Sequence, residues 1–446
     1  MQTLLIKQAQ IVNEGKIIVA DVLVKGTYID KIADNIDANA DVVIDGAGKF
    51  LLPGMIDDQV HFREPGLTHK ASIGTESRAA VAGGITSFME MPNTVPPTFT
   101  LERLEEKMTI AKQHSLANYS FYLGASNDNI EEIKKLKPTS ACGVKIFMGS
   151  STGNLLVEDE HILTEIFSHA PTLIATHCET EHIIKANLQK YVEKYGENIL
   201  PVHHPEIRNA ENCYLSTQKA IRIAKATHAR LHVLHISTAM ETELFTNEIP
   251  LKDKRITAEA CVHHLWFSDK DYATRGNWIK WNPAIKTSQD RDAIWKAVLD
   301  GRIDVIATDH APHTIDEKKL PYLQAPSGGP LVQHALLALF QKYLQGVITL
   351  EQIVEKTAHH PAILFQIEKR GYVKEGYFAD LVLAEMGGDV ATSADNAFAL
   401  SKCAWSPFDG YTFNAKILTT IVSGHLAYHN GVFNDSVKGQ RLQFER

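Results

Sequence analysis

A chain of 446 residues that is 44% hydrophobic and 22% charged can bury a large core, and one barrel with a small partner fits its length. Its formal charge of −8 comes without a run of one sign, which argues against nucleic acid or a membrane surface as partner and leaves small-molecule chemistry. Five scattered cysteines without a CxxC pair exclude a disulfide framework, and no leader-like or 20-residue apolar stretch occurs, so the reading is a soluble chain in a reducing cytoplasm.

Residues 1–53 read as short alternating strands separated by Gly, Asn and Asp turns. From Pro53 to about residue 365 short apolar runs alternate with segments of helical period. Eight runs stand out: LLPGMIDDQVHF, ITSFMEM, NYSFYLGA, CGVKIFM, TLIATH, LHVLHI, ITAEACV and DVIATDH. Helix-period segments between them include 101–113, 158–168, 208–226 and 288–299. Eight strands each followed by a helix predict an α/β fold of the (β/α)8 TIM-barrel type. After residue 366 hairpin-like pieces return, and they are expected to join the N-terminal strands in a small discontinuous β-sandwich. The predicted division is therefore 1–53 with 366–446 for the β domain and 54–365 for the barrel. The stretch 309–330 is too long for an ordinary connection, and a lid is expected there.

In such barrels the site forms at the C-terminal ends of the strands. Gln59 and His61, Lys145, His177, His235 and Asp309 fall at that end of five predicted strands. Imidazoles and carboxylates suit a divalent cation such as zinc. With 21 histidines in the chain, any single one is more often a surface or satisfied group, and His69, His114 and His169 are assigned to that class. Asp309 alone would read as a helix cap and Lys145 alone as a solvated strand end; their joint placement is what points to a metal site. A lysine cannot ligate as an ammonium, but a buried one of lowered pKa can react with carbon dioxide to give a carbamate that bridges two cations.

These motifs, LLPGMIDDQVHFREPG, MEMPNT, GVKIFMGSSTGN, THCE, LHISTA, TAEACVHHL, WNPAIK and ATDHAPH, resemble the dihydroorotases in their order along the chain. The resemblance spans roughly residues 45 to 440. It implies reversible cyclisation of N-carbamoyl-L-aspartate to L-dihydroorotate in pyrimidine synthesis, on one or two zinc ions. His61 would hold one metal, Lys145 as N6-carboxylysine would bridge, His177 and His235 would hold the second, and Asp309 would ligate and shuttle protons. Arg63, Asn93 and His313 fall where the family grips the substrate carboxylate, and Asn282 and Gly328 match substrate-contacting segments more loosely. A planar guanidinium at position 63 matches a carboxylate bidentately.

The first strand departs from the family. His-x-His is usual, whereas this chain has Gln59-Val60-His61, and a neutral amide oxygen suits hard cations better than zinc. Two metals with a weak first site, one metal on Lys145, His177 and His235, or a catalytically silent subunit scaffolding aspartate transcarbamoylase all remain open. The nearest enzymatic alternative is an allantoinase or hydantoinase, whose substrates lack the carboxylate. No sequence feature identifies an interface, and a homodimer stays open.

Overall fold

The computed structural model describes residues 2–151 and 153–446. Eight strands among them make the barrel in chain order: Met55–Val60, Ile85–Glu90, Asn118–Phe121 continued by Leu123–Gly124, Val144–Phe147, Ile174–His177, Leu231–Val233, Ile256–Cys261 and Val305–Ala307. Each lies within one of the predicted apolar runs. Nearly every strand residue is buried, as expected for a parallel sheet covered on both faces. Neighbours pair in parallel, for example Val144 with Ile174, Leu231 with Ile256, and Glu259 with Val305. The barrel closes where Val60 bridges His310 and the His61 N–H donates to the His310 carbonyl at 2.7 Å.

Four of the longer helices begin where a side chain satisfies free N–H groups. Thr100 caps Leu101–His114, Asp159 caps Glu160–His169, Asn209 caps Ala210–Thr227, and Thr287 with Asp290 forms a capping box on Ser288–Leu299. All four correspond to predicted helical segments.

The N-terminal strands Thr3–Asn13, Lys16–Lys25 and Phe50–Pro53 share one sheet with Leu381–Met386 and Ala415–Val422. The two chain ends meet where Leu52 lies opposite Val382 in an antiparallel ladder. Leu4, Ile6, Val22, Leu51, Leu381 and Ile421 form a core of its own within this sheet. Gly54 alone separates the sheet strand from the first barrel strand, and a Cβ there would lie 2.2 Å from the Thr86 side chain. The close approach therefore requires glycine.

Two features differ from the sequence reading. The segment 309–330 is a wall held from inside, where a lid was expected. Lys318 donates to the carbonyls of Pro326 and Gly328 at 2.9 and 2.8 Å, and Lys280 to those of Tyr322 and Ala325 at 2.6 and 2.5 Å. The C-terminal part is also more than a sheet. Residues 401–405 return to the barrel mouth, where Trp405 Nε1 donates to the His313 carbonyl at 2.7 Å and Ser401 binds the Glu76 carboxylate. No helix among the described residues is long and apolar enough to cross a membrane.

Candidate active site

Every residue nominated from the sequence lines one cavity of about 220 Å³: Gln59, His61, Arg63, Asn93, Lys145, His177, His235, Asn282, Asp309, His313 and Gly328. Phe147, Ser150, Trp281, Ala311 and Ser327, the last beside the nominated Gly328, complete the lining. Three of the nominated residues have left-handed backbones, Arg63 at φ 70°, His235 at φ 38° and Asp309 at φ 49°. Such conformations cost a non-glycine residue free energy and concentrate at functional sites.

The first strand carries a bulge. Asp57 pairs with Phe88 but Val60 with Glu90, so one extra residue is inserted between them. Bulges re-aim side chains. Here Asp58 and Gln59, neighbours in sequence, both reach the barrel interior, which strict two-residue alternation would forbid.

One side of the cavity is built by Gln59, His61 and Asp309. His61 Nδ1 lies 2.7 Å from Asn93 Oδ1, and its Nε2 lies 3.2 Å from Asp309 Oδ1. Gln59 Nε2 donates to the same Asp309 oxygen at 3.1 Å. Burial lowers the His61 pKa, although Asp309 opposes the shift.

The other side is built by Lys145, His177 and His235. His177 Nε2 lies 2.9 Å from the Glu179 carboxylate, which also receives Arg208 at 2.5 Å. That carboxylate fixes the proton on Nε2 and turns the lone pair of His177 Nδ1 toward His235 Nε2, 3.0 Å away. Burial pushes the pKa of His177 down and that of His235 well down, so both imidazoles are neutral and fit to ligate. Lys145 is fully buried, and its Nζ and the Nδ1 of His235 have no hydrogen-bond partner among the described residues. Burial brings the Lys145 pKa down to about 7, which leaves a substantial fraction as neutral amine at physiological pH. Buried polar atoms left unmatched in this way are costly. The donor set therefore fits a divalent cation.

Arg63 closes the outer part of the cavity. It is 6% exposed, donates through Nε to the Pro312 carbonyl at 3.1 Å and lies 3.0 Å from His313 Nε2. It has no ion-pair partner among the described residues. Burial, followed by the charges of Arg63 and Lys70, holds His313 well below its usual pKa, so it adds no positive charge. Ser327 Oγ donates to Asn282 Oδ1 at 3.0 Å, leaving the Asn282 amide N–H groups available. Gly328 lines the cavity but its backbone is already engaged, its N–H by the Lys280 carbonyl and its oxygen by Lys318.

Beneath Gln59 lies a buried cluster of Asp58, His232 and Glu259 that sequence reading missed. His232 Nδ1 lies 2.8 Å from Thr257 Oγ1, which itself donates to the Leu231 carbonyl, so His232 must be the donor in that pair. Its Nε2 lies 3.1 Å from Asp58 Oδ2 and 3.7 Å from Glu259 Oε2, ion-pair distances without hydrogen-bond geometry. Burial opposes charge on His232, but Asp58 and Glu259 prevail and raise its pKa to about 9. The cluster is thus an imidazolium held between Asp58 and Glu259, with the Glu259 carboxyl itself pushed up to about 7 by burial and the neighbouring Asp58 charge.

The profile of the Amidohydrolase family matches residues 50–427. A dihydroorotase of Bacillus cereus (strain AH820) is 32% identical over 439 residues, covering 95% of this chain and 98% of that protein, and one of Bacillus thuringiensis (strain Al Hakam) matches to the same extent. Among solved structures, the L-hydantoinase (dihydropyrimidinase) from Arthrobacter aurescens superposes with a TM-score of 0.93 at 27% identity, covering 99% of this chain and 100% of that one. The dihydropyrimidinase from Brevibacillus agri NCHU1002 shares the fold at a TM-score of 0.89 and 22% identity, with both chains covered completely. A barrel of eight parallel strands and a polar cavity at their C-terminal ends agree with these likenesses: the chain belongs to the amidohydrolase family and is a cyclic amidohydrolase.

Proposed function

We propose that the protein is a dihydroorotase, interconverting L-dihydroorotate and N-carbamoyl-L-aspartate in pyrimidine synthesis. The observation that carries the reading is Arg63, a buried guanidinium on the cavity wall with no carboxylate in ion-pair contact among the described residues. A buried guanidinium with no carboxylate in contact favours an anionic ligand, which it binds through two parallel hydrogen bonds when that ligand is a carboxylate. The ring of dihydroorotate carries such a carboxylate, whereas hydantoin and dihydrouracil carry none. The dihydroorotase relatives at 32% identity support the same choice.

His177, His235 and Lys145 would hold a divalent cation, with zinc the best match to two imidazoles. The lysine joins as its carbamate: neutral Nζ forms a bond to carbon dioxide and releases a proton, giving a carboxylate with two oxygen donors. When bound, the cation supplies Lewis acidity and makes water a nucleophile at neutral pH. In ring opening, Arg63 holds the substrate carboxylate, and the amide N–H groups of Asn282 and Asn93 bind ring oxygens. Asp309 accepts the proton of the attacking water and delivers it to the departing ring nitrogen. Ring closure runs the same transfers in reverse.

The L-hydantoinase likeness favours a second reading, opening of an uncharged ring. Incubation of the purified protein, supplied with zinc and bicarbonate, with L-dihydroorotate tests the assignment. Formation of N-carbamoyl-L-aspartate supports it; turnover of hydantoin or dihydrouracil with none of dihydroorotate would overturn it.

A further inference from the structure

The two sides of the cavity differ in one respect that bears on how many cations it takes. On the Lys145–His177–His235 side, two polar atoms are left over, Lys145 Nζ and His235 Nδ1. On the Gln59–His61–Asp309 side, neither ring nitrogen of His61 and neither end of the Gln59 amide is left without a neighbour. His61 Nδ1 faces Asn93, its Nε2 faces Asp309, and Gln59 Nε2 donates to Asp309. Gln59 Oε1 lies 3.7 Å from Cys261 Sγ, a weak donor.

The orientation of that amide is dictated by its surroundings. Turned over, it would set its oxygen against the Asp309 carboxylate, two acceptors without a proton between them. In the orientation seen, the end directed at Asp309 is a donor, which cannot bind a cation. The amide N–H thus occupies the Asp309 oxygen that a cation shared by His61 and Asp309 would need.

The geometry points to a mononuclear site: this chain takes one divalent cation, on Lys145, His177 and His235, and the Gln59 amide closes the His61–Asp309 side by hydrogen bonding to Asp309. Gln59 is a positioning residue, holding Asp309 Oδ1 beside His61 without a second charge. The inference rests on the metal reading proposed above. It adds the number of ions and the residue that sets it.

The test is a count and a location. The full-length protein is dialysed against zinc and bicarbonate, desalted and analysed for zinc per chain, and crystals are measured at the zinc absorption edge. The expected result is one zinc per chain in the wild type, at Lys145, His177 and His235. Replacing the amide by an imidazole in Gln59→His supplies a ligand in place of the donor and is expected to raise the count to two. Two zincs in the wild type, one of them between His61 and Gln59, would overturn this inference while leaving the metal reading intact. One zinc in both proteins would also overturn it, because the amide would not be what limits the count. No zinc in either protein would overturn the metal reading and this inference together. The wild-type count decides alone if the variant does not fold.

Discussion

Arg63 at the cavity and Arg370 at the seam between barrel and sheet are both buried guanidiniums, and they are partnered in opposite ways. Arg370 pairs with Asp380, donates to Ser423 Oγ at 3.0 Å and to Gln440 Oε1 at 3.2 Å, and lies 3.8 Å above the Phe378 ring. Asp380 in turn accepts from Asn118 at 2.9 Å and from the Ser423 N–H at 2.7 Å. Arg63 has one carbonyl and a neutral imidazole. The lysines repeat the contrast: Lys107 is buried against Glu90 at 2.8 Å, whereas Lys145 has neither a carboxylate nor a hydrogen-bond partner among the described residues. Where the chain completes a buried charge itself, that charge holds the fold together; where it leaves one incomplete, a ligand is expected to complete it.

The contrast can be broken most forcefully at Lys145. Lys145→Ala is expected to lose ring opening by about 10⁴-fold or more, as when one member of a concerted catalytic unit is removed, while its melting temperature is unchanged or raised. Steady-state assay and thermal melting of one preparation check both halves. At the seam the expectation reverses. Arg370→Met strands Asp380 and should cost about 3–5 kcal/mol in urea denaturation, with turnover per folded molecule preserved. Arg63→Met should weaken dihydroorotate binding by about 2–5 kcal/mol in calorimetric titration and leave stability nearly untouched. A smaller effect is expected one layer out. Glu179→Gln removes the anion that orients His177, and zinc affinity should fall about 10–100-fold in competition with a chelator.

The smallest effect sharpens the comparison through pH. In metal-free, bicarbonate-free protein, burial brings Lys145 down to about 7 when folded, against about 10.5 for a lysine free in water. Between these values the unfolded chain binds the extra proton, so this residue makes stability rise with pH across that window. Below about 7 both states are protonated and the burial penalty is present in full. The stability advantage of Lys145→Met over the wild type should therefore shrink as pH rises from 7 toward 10 in urea titrations. An advantage independent of pH would show that the lysine is not held as an unpaired group.

Much of this was legible in the sequence because barrel topology converts strand ends into a site. His61, His177, His235 and Asp309 lie at or just past the end of an apolar run and Lys145 lies within one, and closing the barrel brings them together. What stayed hidden depends on contacts between distant residues. Glu179 stands two residues after His177 in the THCE motif, and that adjacency was the available signal for its orienting role. Lys318 sits in the charged run DEKKL, which reads as solvated surface, yet it is buried and pins the wall. The bulge that turns both Asp58 and Gln59 inward leaves no trace in the apolar pattern. Hence the Asp58–His232–Glu259 cluster, and the hydrogen bond that occupies Gln59, emerge only from the fold.

The most direct measurement is the ratio of kcat/KM for L-dihydroorotate to that for dihydrouracil, the same ring without its carboxylate, on wild-type protein supplied with zinc and bicarbonate. A cavity that relies on the substrate to complete Arg63 predicts a preference for dihydroorotate of about 10⁴-fold, the scale on which sites built around a polar group reject analogues lacking it. A ratio near one, or a preference for dihydrouracil, would contradict the account.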